Sequence, residues 1–185
     1  YMQKLQRLFK NKKEKTSISF FDLPLIDDLI DEKISGEGFL KSKQIFEGFN
    51  TLQQQKVKLP AVNATLRPYQ VQGFQWLQYL HKTKLGGCLA DDMGLGKTIQ
   101  VIAFILLLRQ KRGQQTHLVV VSTSIIFNWQ QELEKFAPSL KVLTIHGFNR
   151  VKNNHTFKDY DVVITSYGMM VSNIHFLKTF NFGYI

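Results

Sequence analysis

Lys97 and Thr98, with Gly94 and Gly96 just ahead of them, are the residues whose types and spacing could do chemistry in this chain. Two glycines let the backbone turn its N–H groups inward as a concave nest, and an ammonium beside such a nest suits phosphate oxygens. The surrounding stretch, Gly86 to Gln100, opens on an apolar run, Cys88 to Ala90, that reads as the end of a buried strand. Strand, glycine-rich loop, Lys-Ser/Thr and helix make the layout of a phosphate-binding loop. A helix beginning near Lys97 adds unpaired N–H groups and roughly half a positive charge of macrodipole. On this reading Asp92, Met93, Gly94, Leu95, Gly96, Lys97 and Thr98 surround the phosphates of a nucleotide. Lys97 reaches the β- and γ-phosphates, Thr98 ligates Mg²⁺, and these two carry the catalytic assignment. The strict spacing asks for glycine at position 91, where this chain has Asp91. The alternative is a glycine-rich turn that caps a helix, with Lys97 solvated in its first turn.

The elements that must hold this loop follow from periodicity. Pro68 suits the first turn of a helix running to about Lys82, with Val71, Phe74, Leu77 and Leu80 on one face and Trp76 and Tyr79 on the core or its rim. Gly86-Gly87 breaks the chain before the loop. The helix from Lys97 to about Arg112 is apolar nearly all round through Leu108, so it must be buried against a sheet. Arg109, Lys111 and Arg112 sit at its C-terminus, where the dipole favours cations, and Gly113 ends it. Leu118 to Val121 is a continuous β-branched and aliphatic run, as a strand covered on both faces requires. A helix is predicted from about Ile126 to Phe136, strands at Lys141–Ile145 and Asp161–Ile164, a short helix within Tyr167–Leu177, and a further strand from Phe182. Alternation of this kind predicts an α/β doubly wound parallel sheet, helices on both faces, with ligands at the strands' C-terminal ends.

Residues 1–60 read differently. A weak apolar stripe (Leu5, Leu8, Phe9) precedes a basic run, and an amphipathic helix is predicted from Pro24 to about Ile34, ended by Gly36 and Gly38. We divide the chain into an accessory segment, 1–60, and a nucleotide-binding part, 61–185.

Bulk properties restrict the partners. The net charge of +10 is uneven: residues 61–185 carry 13 Lys/Arg against 6 Asp/Glu, and residues 1–60 carry 11 against 8. A basic excess on the half that holds the loop points to a polyanion, nucleic acid first, although solvated surfaces can look alike. The single cysteine, Cys88, excludes an internal disulfide framework and reads as a small core residue. The five histidines lack metal-ligand spacing, so no zinc site is expected. The longest apolar run, Val101 to Leu108, falls far short of the ~20 residues a bilayer crossing needs. No membrane partner is expected, and the chain reads as cytoplasmic (nucleoid-associated) or nuclear.

Leu66-Arg67-Pro68-Tyr69-Gln70, with Gly73 and Trp76 after it, and Leu89 through Gln100 together resemble the Swi/Snf-type ATPases, helicase-like translocases on double-stranded DNA within helicase superfamily two. The family's loop carries an acid where Asp91 stands. Further segments match in order: Val121-Ser122-Thr123-Ser124 with Asn128, Trp129 and Glu132; His146-Gly147; and Asp161 through Tyr167. Ser122 departs from the family's usual proline. The resemblance covers about residues 60–185 and implies an incomplete RecA-like P-loop ATPase lobe that takes ATP with Mg²⁺. It implies that Gln70 reads the adenine edge through paired amide hydrogen bonds, with Arg67 against the base. Thr123, Ser124, Thr165 and Ser166 would hold phosphates of one DNA strand without reading sequence. Ordinary turn or helix-cap roles remain open for each of these four hydroxyls. Arg150, Lys152 and Lys158 read as a solvated basic surface, and Trp129 as packed on the sheet.

The resemblance also implies what must complete the machine. An Asp-Glu box should begin directly after Ile185, and a second lobe of the same full-length chain should supply an arginine to the transition state. Residues 1–185 alone are therefore expected to hydrolyse essentially no ATP. The sheet is expected to show an unpaired central edge near Cys88 to Asp91. The function implied is the ATP-binding part of a DNA-stimulated ATPase that remodels protein–DNA complexes. Its rivals are a non-catalytic nucleotide- or DNA-binding module and a P-loop phosphotransferase.

Overall fold

The structure, a computed structural model, describes residues 44–45, 47–48, 51–52, 57–147 and 154–185. The chain falls into two units, Tyr1–Gln55 and Lys56–Ile185. In the first, Gln44, Ile45, Glu47 and Gly48 are helical. The helix predicted from Pro24, and the basic residues Arg150 and Lys152, lie outside the described residues.

The second unit is built on three parallel strands, β1 (His117–Val121), β2 (Val142–Ile145) and β3 (Val162–Ser166), in the order β1-β3-β2. Side chains alternate across this sheet, as strand geometry demands. On one face Val119, Val121, Val162 and Ile164 meet Ile102, Ile105 and Leu106 of α2 (Lys97–Arg112) and Ile126 and Leu133 of α3 (Ile126–Phe136). On the other face Leu118, Val120 and Val163 meet Phe157, Leu177 and a ring cluster of Phe176, Phe180 and Phe182. Two short helices, α4 (Tyr167–Ser172) and α5 (Ile174–Leu177), carry part of that second layer. An outer helix, α1 (Pro68–Thr83), packs Phe74 against Ala103, Phe104 and Leu107 on the far side of α2. With apolar neighbours on the sheet side and the α1 side, α2 is buried from Ile102 through Leu108, which explains why its sequence is apolar nearly all round.

Two predicted strands differ. Cys88 to Ala90 forms no regular strand and joins no ladder among the described residues, and Cys88 and Ala90 are exposed rather than buried. A strand is stable only beside another, and no described strand flanks this segment. Cys88 is accordingly not the small core residue its apolar setting suggested. Phe182 to Ile185 is also not a regular strand. It nevertheless lies along β1, where Leu118 N–H donates to Tyr184 O at 2.8 Å and Gly183 N–H to Thr116 O at 2.9 Å.

Asp161 fastens the strand starts together. Its buried carboxylate accepts from Lys141 N–H at 2.7 Å, just before β2, and pairs with Arg109 near the end of α2. Its backbone oxygen accepts from His117 N–H at 2.8 Å. This end of the sheet is therefore pinned, and the opposite, C-terminal end carries the loops.

Candidate functional site

The loop before α2 has the backbone that its glycines permit. Gly94 and Gly96 adopt φ of 83° and 74°, the left-handed region that other residues enter at a cost of about 1–2 kcal/mol. Gly96 is the N-cap of α2, and no side chain caps that end. The first-turn N–H groups of α2 thus receive no side-chain oxygen and remain available to an anion. Space is open as well: a Cβ on Gly94 would meet nothing within 4 Å, and Met93 is 96% exposed.

Lys97 folds back over the loop. Its ammonium donates to Asp91 O at 2.7 Å and to Asp92 O at 2.8 Å. The loop is thereby closed into a ring by the cation itself. Asp91, which stands where the strict spacing asks for glycine, is held in turn by Gln100, whose Nε2 donates to Asp91 Oδ2 at 3.0 Å. Gln100 is fully buried, and it lies so close to Gly73 that a Cβ there would come within 1.8 Å of its Oε1.

Helix α1 meets the loop through its first turn. Gln70 Nε2 donates to Leu95 O at 3.1 Å, and Tyr69 Oη donates to the same oxygen at 3.2 Å. Gln70 Oε1 accepts from Arg67 N–H at 2.9 Å, which fixes the amide's orientation. The approach is tight, since a Cβ on Gly96 would sit 2.6 Å from Gln70 Nε2. Gln70 is buried and Arg67 exposed. The structure thus gathers Arg67, Gln70, Asp92, Met93, Gly94, Leu95, Gly96, Lys97 and Thr98 around one loop.

Thr98 has a neighbour that sequence reasoning did not assign. It lies toward Glu132 of α3, whose pKa burial pushes up while the Thr98 side chain and Lys135 pull it down. Glu132 was visible only as one letter of a matched segment; its neighbour lies on another helix and no spacing rule connects the two. Among the described residues no group of three or more His, Cys, Asp or Glu could hold a metal ion. One threonine hydroxyl still suits Mg²⁺, which takes few protein ligands and fills its shell with water and nucleotide phosphates.

The four hydroxyls assigned to DNA divide into two pairs. The β1–β3 register sets Val121 opposite Ser166, so the loops after both strands are neighbours. Thr123 and Ser124, in a 3-10 turn leading into α3, are exposed. Thr165 is 1% exposed and donates to Ile145 O at 3.3 Å, while Ser166 accepts from Met169 N–H at 3.2 Å as the N-cap of α4. The second pair is engaged by the protein itself.

A parallel sheet layered by helices, with a glycine loop, lysine and threonine opening a helix beside it, defines a P-loop ATPase lobe of RecA-like type. Residues 69–185 match the model of the SNF2-related domain, and the chain belongs to that family. It is 44% identical over 153 residues to the putative ATP-dependent helicase/translocase YwqA of Bacillus subtilis, covering 77% of this chain and 16% of that protein. It is 44% identical over 115 residues to the human SWI/SNF-related matrix-associated actin-dependent regulator of chromatin subfamily A containing DEAD/H box 1, covering 59% and 11%. The Sulfolobus solfataricus SWI2/SNF2 ATPase core in complex with double-stranded DNA superposes with a TM-score of 0.63 at 38% identity, over 69% of this chain and 26% of that one. The chain thus spans a small part of the length of each of these relatives.

Proposed function

We propose that this chain is the ATP-binding part of a DNA-stimulated ATPase that translocates on duplex DNA and remodels protein–DNA complexes. The observation that carries the reading is the loop from Asp91 to Thr98. Two left-handed glycines, an uncapped helix start and one ammonium converge there with open space in front of them. Arg67 and Gln70 flank the base, Asp92 to Thr98 surround the phosphates, and Thr98 contributes a hydroxyl to the accompanying Mg²⁺. When bound, Mg-ATP supplies the phosphoryl group whose hydrolysis drives the motor. The chain's own residues bind and orient it. Lys97, now on two carbonyls, turns its charge to the phosphates, and the first-turn N–H groups of α2 take the oxygens.

Thr123 and Ser124 form the proposed contact with the DNA backbone; Thr165 and Ser166, buried and held by the protein itself, would shape the neighbouring loop rather than touch DNA, and the basic excess supplies sequence-independent attraction. We assign residues 1–60 as an accessory segment and residues 61–185 as the first lobe, working with a second lobe of the same full-length protein. The site of action follows from the substrate: the nucleoid of a bacterial cytoplasm, or the nucleus.

Reversing the charge at position 97 is the direct test. In the full-length protein Lys97→Glu should abolish uptake of Mg-ATP, read by calorimetry, and with it any ATPase stimulated by duplex DNA. Unchanged nucleotide binding by that variant would refute the assignment.

A further inference from the structure

Two side-chain ties hold the start of the phosphate loop, and they differ in kind. Lys97 Nζ donates to Asp91 O at 2.7 Å and to Asp92 O at 2.8 Å, on an ammonium for which a nucleotide's phosphates compete. Gln100 Nε2 donates to Asp91 Oδ2 at 3.0 Å, from a fully buried side chain one turn further along α2. A carboxylate only accepts, so the nitrogen of that amide must face Asp91. The amide oxygen then lies against Gly73 of α1, and it has no hydrogen-bond partner among the described residues. A buried acceptor left unpaired works against folding, and an unbranched apolar side chain of similar length would avoid that cost. Packing alone therefore disfavours glutamine here; what it supplies is the donor to Asp91.

We propose that Gln100 is a positioning residue for the nucleotide: its amide keeps the start of the loop in place when Lys97 leaves the Asp91 and Asp92 carbonyls for the phosphates. The proposal rests on the nucleotide-binding reading above. Gln100 touches neither phosphates nor base; it acts through Asp91. Without nucleotide both ties hold Asp91, and with nucleotide bound the Gln100 tie is the one of the two that persists. Gly94 and Gly96 give the loop many accessible shapes, of which few turn the N–H groups inward. An anchor at the start of the loop reduces that freedom before the ligand arrives, so less of the binding energy goes into ordering it.

The test uses the full-length protein, a fluorescent ATP analogue with magnesium, and thermal denaturation of the same samples. Gln100→Met should weaken binding roughly tenfold while the thermal midpoint stays unchanged or rises. Wild-type affinity in this variant would overturn the proposal, and so would a loss of affinity that comes with a lowered midpoint, since poorer packing explains both. Combined with Asp91→Ala, Gln100→Met should add nothing, because the residue it acts through is already gone; an additive loss would overturn the proposal too. Gln100→Glu gives an independent reading through pH. The carboxyl it introduces is buried beside the Asp91 charge, with Lys97 one turn away, and while protonated it can donate as the amide does. Its deficit relative to wild type should therefore be small at about pH 6 and large at about pH 9; a deficit equal at both would mean that Gln100 only fills space. Failure of the wild-type protein to take up the analogue would refute the nucleotide-binding reading, and this proposal with it.

Discussion

At Gln70 and Gly96 the proposed recognition of the base and the mechanics of the loop would share the same atoms. The Gln70 amide, expected to read an adenine edge, spends its nitrogen on Leu95 O and its oxygen on Arg67 N–H. Base recognition must therefore exchange hydrogen bonds rather than make them afresh, so its net worth is about 1 kcal/mol per bond. Gln70→Ala is expected to lower ATP affinity about tenfold and to narrow the preference for ATP over GTP, which competition binding would measure; an unaltered preference would remove Gln70 from the base site. Gly96→Ala is expected to do more harm, because it adds left-handed strain of about 1–2 kcal/mol to a contact 2.6 Å from Gln70 Nε2. Loss of nucleotide binding with the thermal midpoint only slightly lowered is the expected result. The residues of the loop were legible because each is demanded by local backbone geometry. The Lys97 ring closure was not, since it depends on which carbonyls happen to stand across from the side chain.

Among the elements, α1 and α2 are set by one glycine. Gly73 lets the two helices approach until the buried Gln100 amide fills the space a methyl would need, and Gln100 in turn holds Asp91 at the start of the loop. Gly73→Ala is therefore expected to cost about 1–3 kcal/mol through overpacking, visible as a lower denaturation midpoint, and to weaken nucleotide binding as well. Stability loss alone, with binding intact, would separate Gln100 from the loop. Helix and strand positions for α1, α2, α3 and the three strands agree with what periodicity, Pro68, Gly113 and Pro138 imply, because those signals act within a few residues. The Cys88 to Ala90 segment shows the limit of that reasoning. Its composition suits a strand, yet ladder formation depends on a neighbour supplied from elsewhere in the chain, and composition carries no information about that neighbour.

For the whole second unit, the response to acid follows from one ring at the pinned end of the sheet. His117 is 3% exposed, its Nδ1 has no hydrogen-bond partner, and burial lowers its pKa despite the attraction of Asp161. Above the ordinary histidine value of about 6.5 the ring is neutral in both folded and unfolded chains, so it contributes no pH dependence there. Below that value the unfolded chain takes up a proton that the folded one refuses, and stability falls with pH until the lowered folded pKa is reached. His81, also lowered by burial and by Arg112 and Lys111, adds in the same direction. Thermal midpoints should thus drop between pH 7 and pH 5, and His117→Gln, whatever its effect at pH 7, should flatten the drop; a slope unchanged in that variant would place the acid sensitivity elsewhere.

Association with DNA should answer to salt instead. On the proposed function, Thr123 and Ser124 present exposed hydroxyls that would position a phosphate backbone without reading a base, and the charge surplus of residues 61–185 would supply the long-range attraction. Each neutralised phosphate releases counterions, so the logarithm of affinity falls by about 0.9 for each phosphate per tenfold rise in salt. A footprint of about three phosphates would then lose roughly 40-fold between 50 and 200 mM salt. Two duplexes of unrelated sequence should give the same slope and the same affinity. Thr123→Ala with Ser124→Ala should weaken both duplexes equally while leaving nucleotide uptake intact, as anisotropy with labelled DNA and labelled ATP would show. A sequence preference, or a salt slope near zero, would mean that base edges or apolar contacts hold the DNA, and the two exposed hydroxyls would lose the role assigned to them.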